Sequence, residues 1–190
     1  MSPEQASKQL RMLRDFARFY AACWLHPQLV CRICERTSEP PYLTSSPFLS
    51  PLCLLDLLPT SSCALRELGE LFHPHYPQVL THGGLCPVNI LVSPSTGRVT
   101  RIIEWAEAEL LPFGLALYGL DVLLGYLGLG GWSYLEIRDE LEQKFWKYLS
   151  DCIADAKGPP EDRIRNAVTI AREVGVLMQY GFKWKTGVVE

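Results

Sequence analysis

Basic residues are not in excess in this chain: 18 Lys and Arg stand against 21 Asp and Glu over 190 residues, a formal net charge of −3. A general nucleic-acid binder is excluded on that ground, because no domain-wide positive field is present to neutralise phosphates. Compositional bias is also missing. With 48 % hydrophobic and 21 % charged residues, the chain is neither disordered, collagenous nor a coiled coil. The first 25 residues lack the uninterrupted apolar run of a secretory signal, because Glu4, Lys8, Arg11, Arg14, Asp15 and Arg18 break it. They read as an amphipathic helix rather than a transit peptide. There are seven cysteines, an odd number, with no secretory context, so reduced thiols and a cytoplasmic location are expected. Cys31 and Cys34 form a single C-x-x-C near His26, His73 and His75. A structural zinc site would show a second paired ligand set at short spacing, and none is there, so no metal is expected.

Long apolar runs are also scarce. The one that approaches a membrane span, residues 110–131, carries Asp121 near its centre. An Asp there costs about 2.5–3.5 kcal/mol on insertion scales. Pro112 and several glycines interrupt the run, and Glu104, Glu107 and Glu109 flank it. A buried helix of a soluble core is the expected reading, without membrane contact. The length fits one domain covering the whole chain, able to bury about 70 % of its unfolded surface without staples.

What is present reads mostly as helix. Residues 3–24 place Leu10, Leu13, Ala17, Tyr20 and Trp24 on one stripe, widened by Phe16, Phe19 and Cys23, with Arg11, Arg14 and Arg18 on a solvated face. Residues 37–62 hold five prolines and many Ser and Thr, which predicts an extended, irregular connection. A short helix is expected near 63–72, then a strand at 79–80 running into a turn at His82-Gly83-Gly84. A hairpin follows, with arms 89–92 and 99–105 around the turn 93–97. Beyond it the expectation is helical. Residues 134–153 carry Ile137, Leu141, Phe145, Leu149 and Ile153 at i+4 steps, Gly158-Pro159-Pro160 breaks that helix, and a last one spans 161–180. There is no internal repeat. The predicted class is mainly α (α+β), a helical bundle around one small β-hairpin.

Residues 81–109 carry the chemistry. Kinase-like enzymes have a catalytic loop with His, Asp, Leu and Asn at relative positions one, three, four and eight. Here His82, Gly84, Leu85 and Asn89 fill those positions, so the frame matches and the Asp is missing. That Asp accepts the proton of the substrate hydroxyl, and the Asn helps hold magnesium. From Leu80 through Gly114 the text resembles the aminoglycoside phosphotransferase (choline-kinase-like) family, in particular its fungal members, with looser likeness over 15–24 and 174–184.

The resemblance implies a protein-kinase-like fold, here its large (C-terminal) lobe with the small lobe absent. It also locates the departures. The family's catalytic Asp is Gly84 and its metal-binding Asp is Glu104, while Asn89 is retained. Asn89 and Glu104 are therefore vestigial magnesium positions. Loss of a positioned base costs about 10²–10⁴-fold in rate. No glycine-rich phosphate loop and no V-A-I-K-like lysine occur. The expectation is a protein that uses neither ATP nor magnesium. It would bind a small organic molecule and carry out an isomerisation, cyclisation or lyase reaction of fungal secondary metabolism. The alternatives are a non-enzymatic pseudokinase-like interaction protein, pairing with itself through the uncovered cleft face, and a residual aminoglycoside- or choline-type phosphotransferase.

Each candidate residue has a sharp reading and a plain one. His82 is an acid/base in the cleft, or it braces the turn through a backbone hydrogen bond. Glu104 faces the old metal site, or belongs with Glu107 and Glu109 to a solvated acidic run. Alternation along an extended segment puts Glu104 on a different face from Trp105 and on that of Ala106. Asp121 caps or pairs with an internal Arg, or lines a pocket. His82, Glu104 and Asp121 are the catalytic candidates. Cys86, Asn89, Trp105, Glu107 and Phe113 are the substrate-binding ones, with Cys86 read as nucleophile or as a small buried thiol. Aromatic residues around the hairpin are core by default, but an uncovered cleft would turn them into a binding surface.

Overall fold

A computed structural model describes residues 2–28, 71, 73, 75–128, 131–157, 162–180, 184–185 and 188–189. The 37–62 connection, the Cys31–Cys34 pair and, Leu71 apart, the short helix near 63–72 lie outside the described residues. The fold is mainly helical with small antiparallel sheets, hence α+β. Two compact units divide the chain, each assembled from three separate segments.

The first unit takes Met1–His26, His82–Ala108 and Gly119–Pro160. Helix α1 (Pro3–Leu25) starts at a capping box, in which the Ser2 hydroxyl accepts from Gln5 N and the Gln5 side chain accepts from Ser2 N. Its stripe of Leu13, Phe16, Ala17, Tyr20 and Ala21 is buried, as periodicity predicts, while Leu10 and Trp24 are half-buried. The stripe packs on the long helix Arg138–Lys157, whose Leu141, Phe145, Leu149 and Ile153 are buried at i+4 steps. Tyr20 and Phe145 meet edge to face at 6.2 Å.

The hairpin pairs β2 (Ile90–Val92) with β3 (Val99–Ile102), with a register slip between Leu91 and Val92. The sequence pattern carries the second arm on to Trp105, but the strand ends at Ile102. Polar contacts tie the hairpin to α1. The Asp15 carboxylate accepts from Arg98 Nε at 2.7 Å and from Val99 N at 3.1 Å, and Arg11 Nε donates to Thr96 O at 2.6 Å. Arg14 lies over the Tyr148 ring at 4.8 Å. Arg11, Arg14 and Arg18 are exposed, as expected of a solvated face, and the first two also reach neighbouring elements.

The apolar run 110–131 is not one helix. It divides into β4 (Glu109–Pro112), a 3₁₀ turn at Leu115–Tyr118, helix α2 (Gly119–Leu124) and the hairpin β5 (Gly125–Gly128) with β6 (Gly131–Tyr134). Pro112 lacks the donor a helix interior needs and lies in the strand, and Gly114, at φ +102°, makes the turn that follows. Tyr134 is consumed in pairing with Gly125, and the next helix, α3, therefore begins only at Arg138. The single hairpin expected is one of four two-stranded sheets among the described residues.

The second unit takes Pro27–Thr81, Glu109–Tyr118 and Glu161–Glu190. In it β1 (Gln78–Thr81) pairs antiparallel with β4, from Gln78↔Pro112 to Thr81↔Glu109, a partner not contained in the sequence pattern. Helix α4 (Asp162–Tyr180), close to the expected 161–180, packs on the Leu115–Tyr118 turn. Gly175 allows that contact, because a Cβ there would collide with Leu115 O. A last pair, β7 (Trp184–Lys185) with β8 (Val188–Val189), closes the described residues. No helix among the described residues is long and apolar enough to cross a membrane.

Candidate functional site

The loop from His82 to Asn89 and the segment that follows β3 are stitched together within the first unit. His82 is 1 % exposed, and its Nε2 lies 2.7 Å from Ile103 O. A carbonyl only accepts, so Nε2 donates, and Nδ1 is buried without a hydrogen-bond partner. The Trp105 ring covers His82 at 4.7 Å, and Trp105 Nε1 donates to Ile102 O at 2.9 Å. This geometry fits the bracing role of His82.

Asn89 closes the loop from its other end. Pro87 opens a 3₁₀ turn at Pro87–Asn89, its missing donor being no loss at that position. Asn89 Nδ2 then donates to Gly84 O at 2.8 Å, and Ile103 N donates to Asn89 O at 3.0 Å. The amide nitrogen of Asn89 is a loop staple. Cys86 is half-buried beside this turn, a free thiol.

Glu104 has φ 64° and ψ 59° and is the one non-glycine residue at positive φ among the described residues. An ordinary side chain in this left-handed region costs about 1–3 kcal/mol and is retained where the surroundings enforce it, often at functional sites. Its side chain is exposed. The turn it makes leads into the 3₁₀ segment Trp105–Glu107, so the strand alternation used to assign faces to Glu104, Trp105 and Ala106 does not operate here.

That turn brings Glu107 over the loop. Gly83 sits at φ +80°, and a Cβ on it would collide with Glu107 O, so both backbone angle and space demand glycine. Gly84 differs. Its φ lies outside the positive region, and the contact a Cβ would make is with the Glu107 carboxylate, Oε2 lying 3.3 Å away. The carboxylate occupies the space into which a side chain at 84 would grow.

The other candidates lie elsewhere. Asp121, in the first turn of α2, is buried and accepts from Tyr134 OH at 3.3 Å. The Tyr134 ring in turn holds the Arg138 guanidinium at 4.4 Å. Phe113 belongs to the second unit, 1 % exposed in its core, where its carbonyl accepts from Tyr76 OH at 2.8 Å. The structure therefore gathers His82, Cys86, Asn89, Glu104, Trp105 and Glu107 on one loop and its facing segment. Glu107 was legible in the sequence as a substrate-binding candidate and as a member of an acidic run, without a partner in the loop. Its register with Gly84 depends on the left-handed residue at 104, which no periodicity announces.

No family model, curated protein or solved structure matches the chain. Among the described residues no group of three or more His, Cys, Asp or Glu is gathered to hold a metal ion.

Proposed function

We propose that the chain is a degenerate kinase-like large lobe that binds a small organic molecule at the 82–89 loop and moves a proton on it without ATP. The observation that carries this reading is the Glu107 carboxylate seated over Gly84. The loop keeps its scaffold, with His82 on Ile103 O and Asn89 on Gly84 O. Its base position has no side chain of its own, and a carboxylate from the facing segment fills the space. In an isomerisation, a proton leaves a substrate C–H for Glu107, the electron pair shifts within the substrate, and the proton returns at another atom. In a cyclisation, the proton leaves an O–H and the freed oxygen pair adds to a carbonyl of the same molecule, whose oxygen takes the proton. In an elimination, the C–H pair becomes the new double bond as the leaving group departs with its own bonding pair and takes up the proton. Removing such a positioned base lowers the rate about 10²–10⁴-fold. Phosphoryl transfer rests on clamping the phosphates, and the sequence supplies neither a glycine-rich loop nor a paired lysine for it.

The test is turnover of hydroxylated and carbonyl-bearing compounds, followed by chromatography for products of equal mass or of mass lowered by elimination. Glu107→Gln is expected to lose about 10²-fold or more while melting at the same temperature. Unchanged turnover in both Glu107→Gln and Glu104→Ala overturns the assignment. Magnesium-ATP is expected to leave Tm unmoved. A ligand at 100 times its Kd adds about 2.7 kcal/mol, so a clear rise would show nucleotide binding and overturn the ATP-independent reading. A second reading, a protein-interaction surface, draws on Val88 at 77 % exposure, with Leu91 and Trp105 also exposed. A concentration-dependent dimer in sedimentation, lost in Val88→Asp, would favour it.

A further inference from the structure

We propose that a second site in the first unit, distinct from the 82–89 loop, binds an amphipathic carboxylate: an apolar chain or ring system ending in a carboxylate. The site is an open cleft of about 550 Å³ between α1 and the turn of the β2–β3 hairpin. Gln5, Lys8, Gln9 and Met12 stand at i, i+3, i+4 and i+7, one face of α1, and this face lines the cleft. The face packed on α3 is the separate stripe of Leu13, Phe16, Ala17 and Tyr20. The opposite wall is Val92 and Pro94, with Leu135 alongside.

The walls are fixed in advance. Gly97, at φ +72°, brings the hairpin turn so close to α1 that a Cβ would lie 2.6 Å from Lys8 Cβ. Arg11 on Thr96 O and the Asp15 carboxylate on Arg98 and Val99 hold the turn along the helix. Gln9 Nε2, donating to Leu123 O at 2.6 Å, anchors the other side. A preformed cleft of this size, mostly apolar with a few polar groups, is the form small-molecule sites take.

Charge selects the ligand class. Met12, Val92, Pro94 and Leu135 supply apolar surface, and Lys8 is the one ionised side chain of the lining. Its ammonium is paired at 2.8 Å with Glu4, whose side chain is 76 % exposed. An exposed i,i+4 pair is weak, so a ligand carboxylate that buries its apolar part beside Met12 can take the place of Glu4.

The probes are decanoate, decanol and decylamine, kept below their micelle concentrations. The full chain is titrated while its backbone amide resonances and heats of binding are followed. Decanoate is expected to bind with shifts at residues 5–12 and 92–97, about tenfold tighter than decanol, as one charge-assisted contact provides. Decylamine is expected not to bind. Lys8→Gln should remove the preference for the acid and leave decanol unaffected, whereas Glu4→Gln should tighten decanoate. Both positions are on the surface of α1, and an unchanged Tm verifies the fold of each variant. Equal affinity for the three probes, no binding, or shifts confined to the 82–89 loop would overturn the proposal. None of these outcomes depends on activity at that loop.

Discussion

Two adjacent glycines, Gly83 and Gly84, have different reasons to be glycine, and mutation separates them. Gly83→Ala puts a methyl against Glu107 O at φ +80° and is expected to destabilise by about 1–3 kcal/mol in urea denaturation. Gly84→Ala meets only the mobile end of Glu107, 3.3 Å away. It should stay within about 0.5 kcal/mol of the parent, yet displace the carboxylate and lower turnover. Equal destabilisation by the two would contradict this distinction. Glu104 invites the reverse experiment. Glu104→Gly relieves a left-handed side chain and is expected to raise stability by about 1 kcal/mol while impairing ligand binding. A less stable Glu104→Gly protein would show that the backbone there is not strained.

At the scale of elements, α1 carries a titratable signature. Burial pushes the Cys23 thiol up from its ordinary value, because a thiolate is poorly solvated there. The folded state therefore holds its proton to higher pH than the unfolded chain. The corresponding stability is complete below about pH 8.5, the unfolded thiol's range, and is lost as pH rises through the folded value. Chemical denaturation at pH 7 and 10 should show this alkaline loss in the parent and a smaller one in Cys23→Ala. An identical slope in both would exclude Cys23 as its source. The tight contact of α4 makes a second prediction. Gly175→Ala drives a methyl into Leu115 O, and overpacking of this kind costs about 1–3 kcal/mol or more, measurable as a lowered Tm.

The elements also show what was legible. Helix α1 was, from its apolar period, since periodicity acts within a few residues, whereas its capping box emerged only from the structure. The faces of α3 and the hairpin arms near 90–92 and 99–102 were legible too. The segment 109–134 was not. All six residues of α2 are buried, so no polar face marks a period, and apolar density announces burial without announcing geometry. The same limit hid the 3₁₀ turn at Trp105–Glu107, where one left-handed residue cancels the alternation of the strand before it.

For the whole molecule, each unit is built from pieces far apart in the chain. The division falls between Thr81 and His82 and again between Ala108 and Glu109, so both flanks of the candidate loop segment pass from one unit to the other. The pairing of β1 with β4 spans this whole segment. The lack of basic excess, the residue types of the 82–89 loop with glycine in its base position, and the apolar stripe of α1 were determined by the sequence alone. They are matters of composition and short-range spacing. Only the tertiary structure decided that the Glu107 carboxylate stands over Gly84, that Asp121 answers to Tyr134, that Phe113 lies in the second unit, and that one face of α1 is turned to an open cleft. Those are distances between residues remote in sequence or across a turn with no period, and backbone angles and packing set them where local pattern cannot.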